Sequence, residues 1–504
     1  MRSTLDIPTA IDKFAIIIMT VMFALFVFFI GAVNAELAEL ANAIELLFYS
    51  TTTIALTILA YYINPYAPLY FFILWLPIQT GLLSYFADTE IVSDALIRYL
   101  SAIKEVIAVC WALLIIVKRP RGRPPLCFPD WVALAIVIMA SIYLFIPDAF
   151  FGRSSTTSQR IFGFRTALVP YLAYLLGRTI QYKSSSVKKS IWLLIIICSA
   201  VTIFGIFELI LIPREDLISG LIPYFILKGG DPSSYNSDTL SYIVSFGGIK
   251  FKRMMSSFLS PLGLAYFLIF PVALALSIKR YKFGVTRYFK FVLLFMLIIP
   301  VVLSNTRAVI ACALLMFIIA YGADKLYKLV IIIITTSIII YFTPINSIVT
   351  DTVKVSDSSS KAHLFAYVVG TNQILRNPLG IGLGQAGPNA MSIAGGESLY
   401  SQQDPTVYES LYLTMATEQG ILSVVIFIMF ILSITISTRS CLKNELIDVF
   451  DKFWISSVPL ATIGFFVASI PTEHWYGFQS AFIYWWFVGL AVQRVSFYKR
   501  EAIS

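Results

Sequence analysis

Apolar positions along this chain come in long unbroken runs, not in alternation. Stretches near the length that crosses a bilayer core, about 20 residues, each ended by charge, Pro or Gly, fall at 14–33, 43–63, 66–86, 99–117, 131–147, 163–180 and 190–212. The pattern resumes at 257–277, 291–304, 307–322, 327–343, 410–436, 453–470 and 477–493. The pattern predicts an all-α polytopic membrane protein of about 14 transmembrane helices. A β-barrel is excluded, because its strands would alternate over segments of roughly 10 residues. The first run is longer than the roughly 7 to 15 apolar residues of a signal peptide and no small-residue cleavage site follows it, so it reads as a spanning helix. The runs 291–304 and 307–322 read as a hairpin broken at Ser304-Asn305-Thr306-Arg307, since Lys290 flanks one end and Lys325 with Lys328 the other. Each arm then spans only about 25 Å at 1.5 Å per residue.

Composition agrees. Of 504 residues 58% are apolar and 13% charged, against roughly 45–50% and 25% in soluble globular chains. With the N-terminus inside, 23 of the 37 Lys and Arg fall on the inner side, while 20 of the 28 Asp and Glu fall outside. By the positive-inside rule both termini are cytoplasmic. The net charge of +9 then reflects topological anchors such as Lys118, Arg119, Arg121 and Arg123 beside anionic lipid heads. No compact basic domain is left to bind nucleic acid. Cys110, Cys198 and Cys312 fall in spans, and Cys127 and Cys441 in inner loops, which implies no disulfide framework. The two histidines, His363 and His474, stand too far apart in the sequence to suggest a metal site. No nucleotide-binding motif is apparent, which disfavours an ATP-driven pump.

The chain reads as one integral membrane domain, 1–504, with two long outer loops, 213–256 and 344–409. Loops longer than about 12–15 residues are usually functional or disordered. These two carry apolar and aromatic residues (Ile222, Tyr224, Phe225 and Ile226; Phe365, Tyr367 and Val368), so short amphipathic helices on the outer surface are expected. The working face is therefore outside. Arg307 at the hairpin tip, Arg165 just inside its span and Arg253 before Met254 lie at one outer depth. Guanidinium groups so placed either converge on a phosphate group, which suits their planar fork, or each snorkel to a lipid phosphate.

Several ordered motifs complete the reading. Lys252-Arg253-Met254-Met255-Ser256-Ser257-Phe258-Leu259-Ser260-Pro261 resembles the arginine-to-proline start of a span in the O-antigen polymerase and ligase superfamily. Ser304-Asn305-Thr306-Arg307-Ala308 is similar to its hairpin tip, and Asn377-Pro378-Leu379-Gly380-Ile381-Gly382-Leu383-Gly384 to its Pro-x-Gly-x-Gly turn. Tyr408-Glu409-Ser410 and Glu418-Gln419-Gly420-Ile421 look like its Glu-Ser and Glu-x-Gly-Ile start of the next span.

The resemblance implies a metal-independent membrane glycosyltransferase without cofactors, with a GT-C-like helical scaffold in the bacterial inner membrane. It would act at the periplasmic face on oligosaccharide repeats linked to undecaprenyl pyrophosphate, with a chain-length regulator as a possible partner. Glu409 stands where the ligase branch has a histidine, which points to the polymerase (Wzy) branch. In that reading Glu409 is the base that takes the acceptor hydroxyl proton, and Arg165, Arg253 and Arg307 clamp the pyrophosphate; Arg160 is an alternative to Arg165. His363, where many members have arginine, is a further substrate-binding candidate. Asp404-Pro405 has the form of a helix start, so Glu409 is expected within the first turns of a helix whose dipole favours the ionised carboxylate. Glu418 is expected deeper, as a hydrogen-bond partner inside the span. Gly380, Gly382 and Gly384 permit a tight turn or a close backbone approach, with a phosphate nest conceivable. His474 reads as an interfacial residue, and Tyr400, Tyr408 and Tyr412 are candidates for stacking on sugars. The competing readings are a ligase handing finished glycan to another acceptor and a flippase for lipid-linked oligosaccharide.

Overall fold

The computed structural model describes residues 40–118, 125–147, 150, 156–227, 243–246, 249–278, 287–322, 358–387, 409–442 and 447–501. These residues form helices joined by loops and one small antiparallel hairpin. In chain order the elements are α1 (Leu40–Ile63), α2 (Ala67–Thr89), α3 (Asp94–Lys118), α4 (Phe128–Phe145), α5 (Thr157–Thr179), α6 (Ser184–Leu211) and α7 (Arg214–Leu227). Strands β1 (Ile243–Phe246) and β2 (Ile249–Lys252) follow, then α8 (Pro261–Ile278), α9 (Arg287–Leu303), α10 (Arg307–Gly322) and α11 (Ser358–Arg376). The chain closes with α12 (Leu411–Gln419), α13 (Ile421–Leu442), α14 (Val449–Ala468) and α15 (Phe478–Glu501).

Eight of these helices, α1 to α4, α6, α8, α13 and α14, are long and apolar enough to cross a membrane, and α9 and α10 are shorter apolar helices. The described chain is thus an α-helical protein of the polytopic membrane type. Every expected span on described residues coincides with a helix; 14–33 and 327–343 lie outside the described residues. One expected span needs correction. The run 410–436 is two helices, because Gly420 at φ +79° breaks the chain between α12 and α13. A Cβ there would lie 2.6 Å from the carbonyl oxygen of Pro378, so the break is also where the glycine-rich loop crosses.

The core is built around α8, in which every residue except Leu262 is buried. It packs against α9, α10, α14 and α15. A helix buried on all sides needs no amphipathic stripe, and this one is apolar all round. α5 and α15 lie backbone to backbone. A Cβ on Gly177 would sit 1.9 Å from the Trp486 oxygen, and one on Gly489 2.1 Å from the Tyr174 oxygen, the small-residue contact by which helices approach closely in lipid. These two helices are less apolar than the eight long apolar ones, and their polar groups turn inward. Arg178 binds Asp130 at 2.9 Å, joined by Tyr174 at 2.6 Å, and the Gln493 amide donates to the Arg178 carbonyl at 3.0 Å. A second buried carboxylate, Asp451, takes bonds from Arg494 at 2.8 Å, Tyr498 at 2.9 Å and Trp454 at 3.1 Å, and from Tyr182. Both ion pairs lie at the end of the bundle that the charge bias assigns to the cytoplasm, and each charge is compensated as burial requires.

The described parts of the two long loops include one helix each, α7 and α11. α7 buries Ile218, Leu221 and Tyr224, and its Gly220 carbonyl accepts from Ser84 of α2 at 2.7 Å. α11 turns Tyr367 inward, where its hydroxyl donates to the Ile470 carbonyl at 2.6 Å, and leaves Leu364, Phe365, Val368 and Leu375 exposed. That division suits a helix lying in the headgroup layer. The β1–β2 hairpin is an element that the hydropathy pattern did not predict: two strands of four residues are too short to stand out beside the spans.

Candidate functional site

The expected hairpin tip exists, and it is where two of the arginines meet. α9 ends at Leu303, the turn Ser304-Asn305-Thr306 follows with Asn305 at φ +49°, and Arg307 opens α10. The strand-to-helix segment that carries Arg253 docks on this turn. Met254 N–H donates to the Leu303 carbonyl at 2.9 Å, Arg253 Nε to the Ser304 carbonyl at 2.7 Å, and Arg253 Nη2 to Thr306 Oγ1 at 3.2 Å. Arg253 is 8% exposed and Arg307 half-buried. Burial, with the Arg307 charge beside it, pushes the Arg253 guanidinium down to about 10. It stays charged at neutral pH; the shift measures first the cost of burying this cation and second the nearby Arg307 charge, a cost that an anion beside it would relieve. Left-handed backbone at Ser256 (φ +52°), Leu259 (φ +51°) and Asn305 surrounds the pair, and such conformations gather where a site is held in one geometry.

The Glu409 carboxylate is linked to the central helix α8 through Tyr266. Thr306 Oγ1 reaches the carbonyl of Pro261, the first residue of α8, at 3.5 Å. Tyr266, five residues on and so about 7.5 Å along the axis, feels the charge of Glu409, as does Glu473. The Tyr266 hydroxyl bonds the Ala468 carbonyl and Thr472, and its ring packs against His474 at 5.1 Å. Glu409 itself is exposed, ahead of the N-cap Ser410 of α12. This corrects the expected placement within a helix begun at Asp404-Pro405, residues that lie outside the described ones. Glu409 sits just before a helix N-terminus, where the dipole still favours a negative charge.

Ser410 and Leu411 tie this position down. Tyr367 of α11 bonds Ser410 Oγ at 3.0 Å, and Leu411 N–H donates to the Ser469 and Thr472 carbonyls at 3.3 and 3.2 Å. His363 stands four residues before Tyr367 on α11, hence on the same face one turn away, about 5–6 Å between β-carbons. The chain thus brings Arg253, Arg307, Glu409 and His363 toward one end of the bundle. Arg165 is placed differently. It is exposed, its guanidinium 4.6 Å from the Phe162 ring, on the side of α5 opposite Gly163 and Ala167, which face the glycine-rich loop. Arg160 donates to the Ile146 carbonyl at 2.9 Å. Tyr412 donates to the Phe466 carbonyl at 2.7 Å and is largely buried, which leaves its ring a packing role; Tyr400 and Tyr408 lie outside the described residues.

The glycine-rich loop is a nest, but a carboxylate fills it. Backbone N–H groups of Gly384, Gln385 and Ala386 converge on Glu418, with Ala386 N to Glu418 Oε1 at 3.2 Å. Glu418 is therefore the buried hydrogen-bond partner expected, and the conceivable phosphate nest is occupied from within. The loop is also clamped. Ile381 and Gly382 donate to the Thr417 and Glu418 carbonyls at 2.8 and 3.0 Å. A Cβ on Gly384, at φ +72°, would lie 2.1 Å from the Gln159 oxygen. Because that neighbour is backbone and the conformation disfavours L side chains, Gly384→Ala is expected to cost about 2 kcal/mol or more. A lowered melting temperature of the purified variant checks this, and an unchanged one would count against the clamp.

One residue in the turn after α14, Glu473, escapes a sequence reading. Glu473 is hydrogen-bonded to Thr414, its Oε2 within 2.7 Å of where a Gly387 Cβ would be, and it shares a cavity of about 30 Å³ with Glu418, Thr166 and Tyr476. That volume holds a water molecule. His474, half-buried, is held against the Tyr266 ring. Burial pushes Glu473 up to about 8 and His474 down to about 4. The signs give a stability profile. Between its usual 4.5 and 8, the folded state keeps a proton on Glu473 that the unfolded chain has lost, so stability falls as pH rises. Between 4 and the usual 6.5 for His474, the unfolded chain binds the extra proton, so stability falls as pH falls. The two oppose each other from pH 4.5 to 6.5, leaving a plateau there and a net loss from 6.5 to 8. Thermal unfolding of Glu473→Gln in detergent should show a weaker alkaline decline than wild type; a decline identical to wild type would refute the assignment.

Among the described residues no group of three or more His, Cys, Asp or Glu is placed to hold a metal ion. Neither the models of protein families nor the curated proteins contain a match to this chain.

Proposed function

We propose that this protein is a membrane glycosyltransferase that polymerises oligosaccharide repeats carried on a polyprenyl pyrophosphate, undecaprenyl pyrophosphate in a bacterial inner membrane, at the periplasmic face. The chain then crosses about fourteen times on a GT-C-like scaffold, both termini cytoplasmic. The observation that carries this reading is the Arg253–Arg307 pair gathered at the outer end of α8, with Glu409 on the same helix's flank.

The chemistry needs those two features. A hydroxyl oxygen of the acceptor repeat forms a bond to the anomeric carbon of the donor, the bond from that carbon to the pyrophosphate oxygen breaks, and polyprenyl pyrophosphate leaves with the bonding electrons. Glu409 takes the hydroxyl proton as the new bond forms, which is general base catalysis. Arg253 and Arg307 meet the charge that develops on the leaving oxygen, and their planar donors fit it bidentately. In this reading His363, one turn from the Tyr367 anchor, donates to the acceptor or to a phosphate oxygen, and Arg165, exposed on α5, meets a lipid-linked phosphate. A chain-length regulator would be a partner on the outer side.

The test is reconstitution in liposomes with a lipid-linked repeat unit as the sole substrate. A ladder of products on a gel is expected. Transfer of preformed glycan to a second acceptor without a ladder would indicate a ligase, and movement of intact lipid-linked repeat across the bilayer would indicate a flippase.

A further inference from the structure

Glu208 lies in the last turn of α6, at the outer end of a span, and is 1% exposed. A carboxylate at that depth is costly and needs an explanation. Its Oε2 accepts from the backbone N–H groups of Met255 at 3.1 Å and Ser256 at 3.0 Å, and its Oε1 lies 3.4 Å from the Lys252 ammonium. Lys252 also donates to the carbonyls of Glu208 and Ile212, each at 2.8 Å, and so closes the end of α6. Residues 252, 255 and 256 are thereby fastened to one helix end, while Arg253 between them reaches the other way, to Ser304 and Thr306.

The fastening decides a conformation. Ser256 stands at φ +52°, which a non-glycine residue adopts only when its surroundings impose it. The bond from its N–H to Glu208, and the bond from its hydroxyl to the Val201 carbonyl at 2.7 Å, impose it here. Gly205, one turn before Glu208, lets Met254 lie flat against α6, since a Cβ there would stand 2.0 Å from Met254 Cε. The Glu208 charge is met by Lys252, so the carboxylate orders the turn with its own charge already balanced beside the arginine pair.

We infer that Glu208 is a positioning residue for an anion site formed by Arg253 and Arg307: it holds the 252–256 turn in the one conformation that lays Arg253 against the Ser304–Thr306 tip. The inference rests on the reading that this pair binds pyrophosphate. It is tested on the full-length protein in detergent by calorimetric titration with inorganic pyrophosphate. Wild type is expected to bind, Arg253→Ala to bind at least tenfold more weakly, and Glu208→Ala about tenfold more weakly, as for about 1.4 kcal/mol. Glu208→Gln, which keeps one acceptor for the N–H groups and loses the charge, should fall between Glu208→Ala and wild type. Because Glu208 acts through Arg253, the double variant should be no weaker than Arg253→Ala alone, a coupling that a general loss of structure would not produce.

The two ideas fail separately. If wild type does not bind, or Arg253→Ala binds equally well, the anion site is wrong. If Arg253→Ala weakens binding while Glu208→Ala matches wild type, or the two losses multiply in the double variant, the site stands and the role of Glu208 is overturned. Should Glu208→Ala fail to fold, Glu208→Gln decides, and wild-type affinity in it overturns the inference.

Discussion

Glu409→Gln is expected to leave no detectable polymer. The substitution keeps the size of the side chain but removes its charge and with it the capacity to accept the hydroxyl proton, worth about 10²–10⁴ in rate. Because Glu409 is exposed ahead of α12, in a stretch anchored by Ser410 and Leu411 rather than by its own side chain, the variant should fold like wild type. Affinity for the lipid-linked donor should change little, since the arginines that hold its pyrophosphate are untouched. The result is checked by comparing kcat and KM separately in liposomes: a loss confined to kcat is predicted. A ladder of ordinary intensity would remove Glu409 from the chemistry.

The second large effect is at the arginine pair. Arg307→Ala and Arg253→Ala should each lower kcat/KM by about 10²–10³, the loss typical of removing one donor aimed at developing charge. Lysine at either position should restore only part, because a point charge does not reproduce the planar fork. The two positions should differ in stability. Arg307 is half-buried at the first position of α10, so its removal should cost less stability than that of the buried Arg253. Arg253 donates to the buried Ser304 carbonyl, and Arg253→Ala leaves that acceptor without its donor, at a cost of about 1–3 kcal/mol. Equal losses of activity with unequal melting temperatures are the expected signature, measured by parallel activity and thermal-unfolding series.

How far the sequence discloses this arrangement depends on the period of the information. Spans are legible because a run of twenty apolar residues is a local property, and the break at Ser304-Asn305-Thr306 follows from charges at both ends of the hairpin. The meeting of Arg253 with Arg307 was suggested by equal depth and by ordered motifs; its basis, a backbone hydrogen bond from Met254 to Leu303, is a long-range contact that no local pattern encodes. Glu208 was hidden for the opposite reason: inside a span, one acidic residue among apolar ones says that a partner exists and not which. His474 reads as an interfacial residue because it sits in an outer turn, and its packing against the Tyr266 ring is a long-range contact that the turn sequence does not encode. The glycine-rich loop shows how a motif can be read correctly for backbone approach and still leave open what it approaches. The groups facing it belong to α12 and α5, far away in sequence.

The central claim is that the bond between sugar and pyrophosphate is broken at the outer face. Phosphorus-31 NMR of proteoliposomes, with lipid-linked repeat confined to the leaflet facing the outer loops, follows that bond directly. Free polyprenyl pyrophosphate should appear in step with each glycosidic bond formed, and should not appear with Glu409→Gln. Glycan growth without release of pyrophosphate, or loss of substrate from that leaflet with its phosphorus signal intact, would contradict the account.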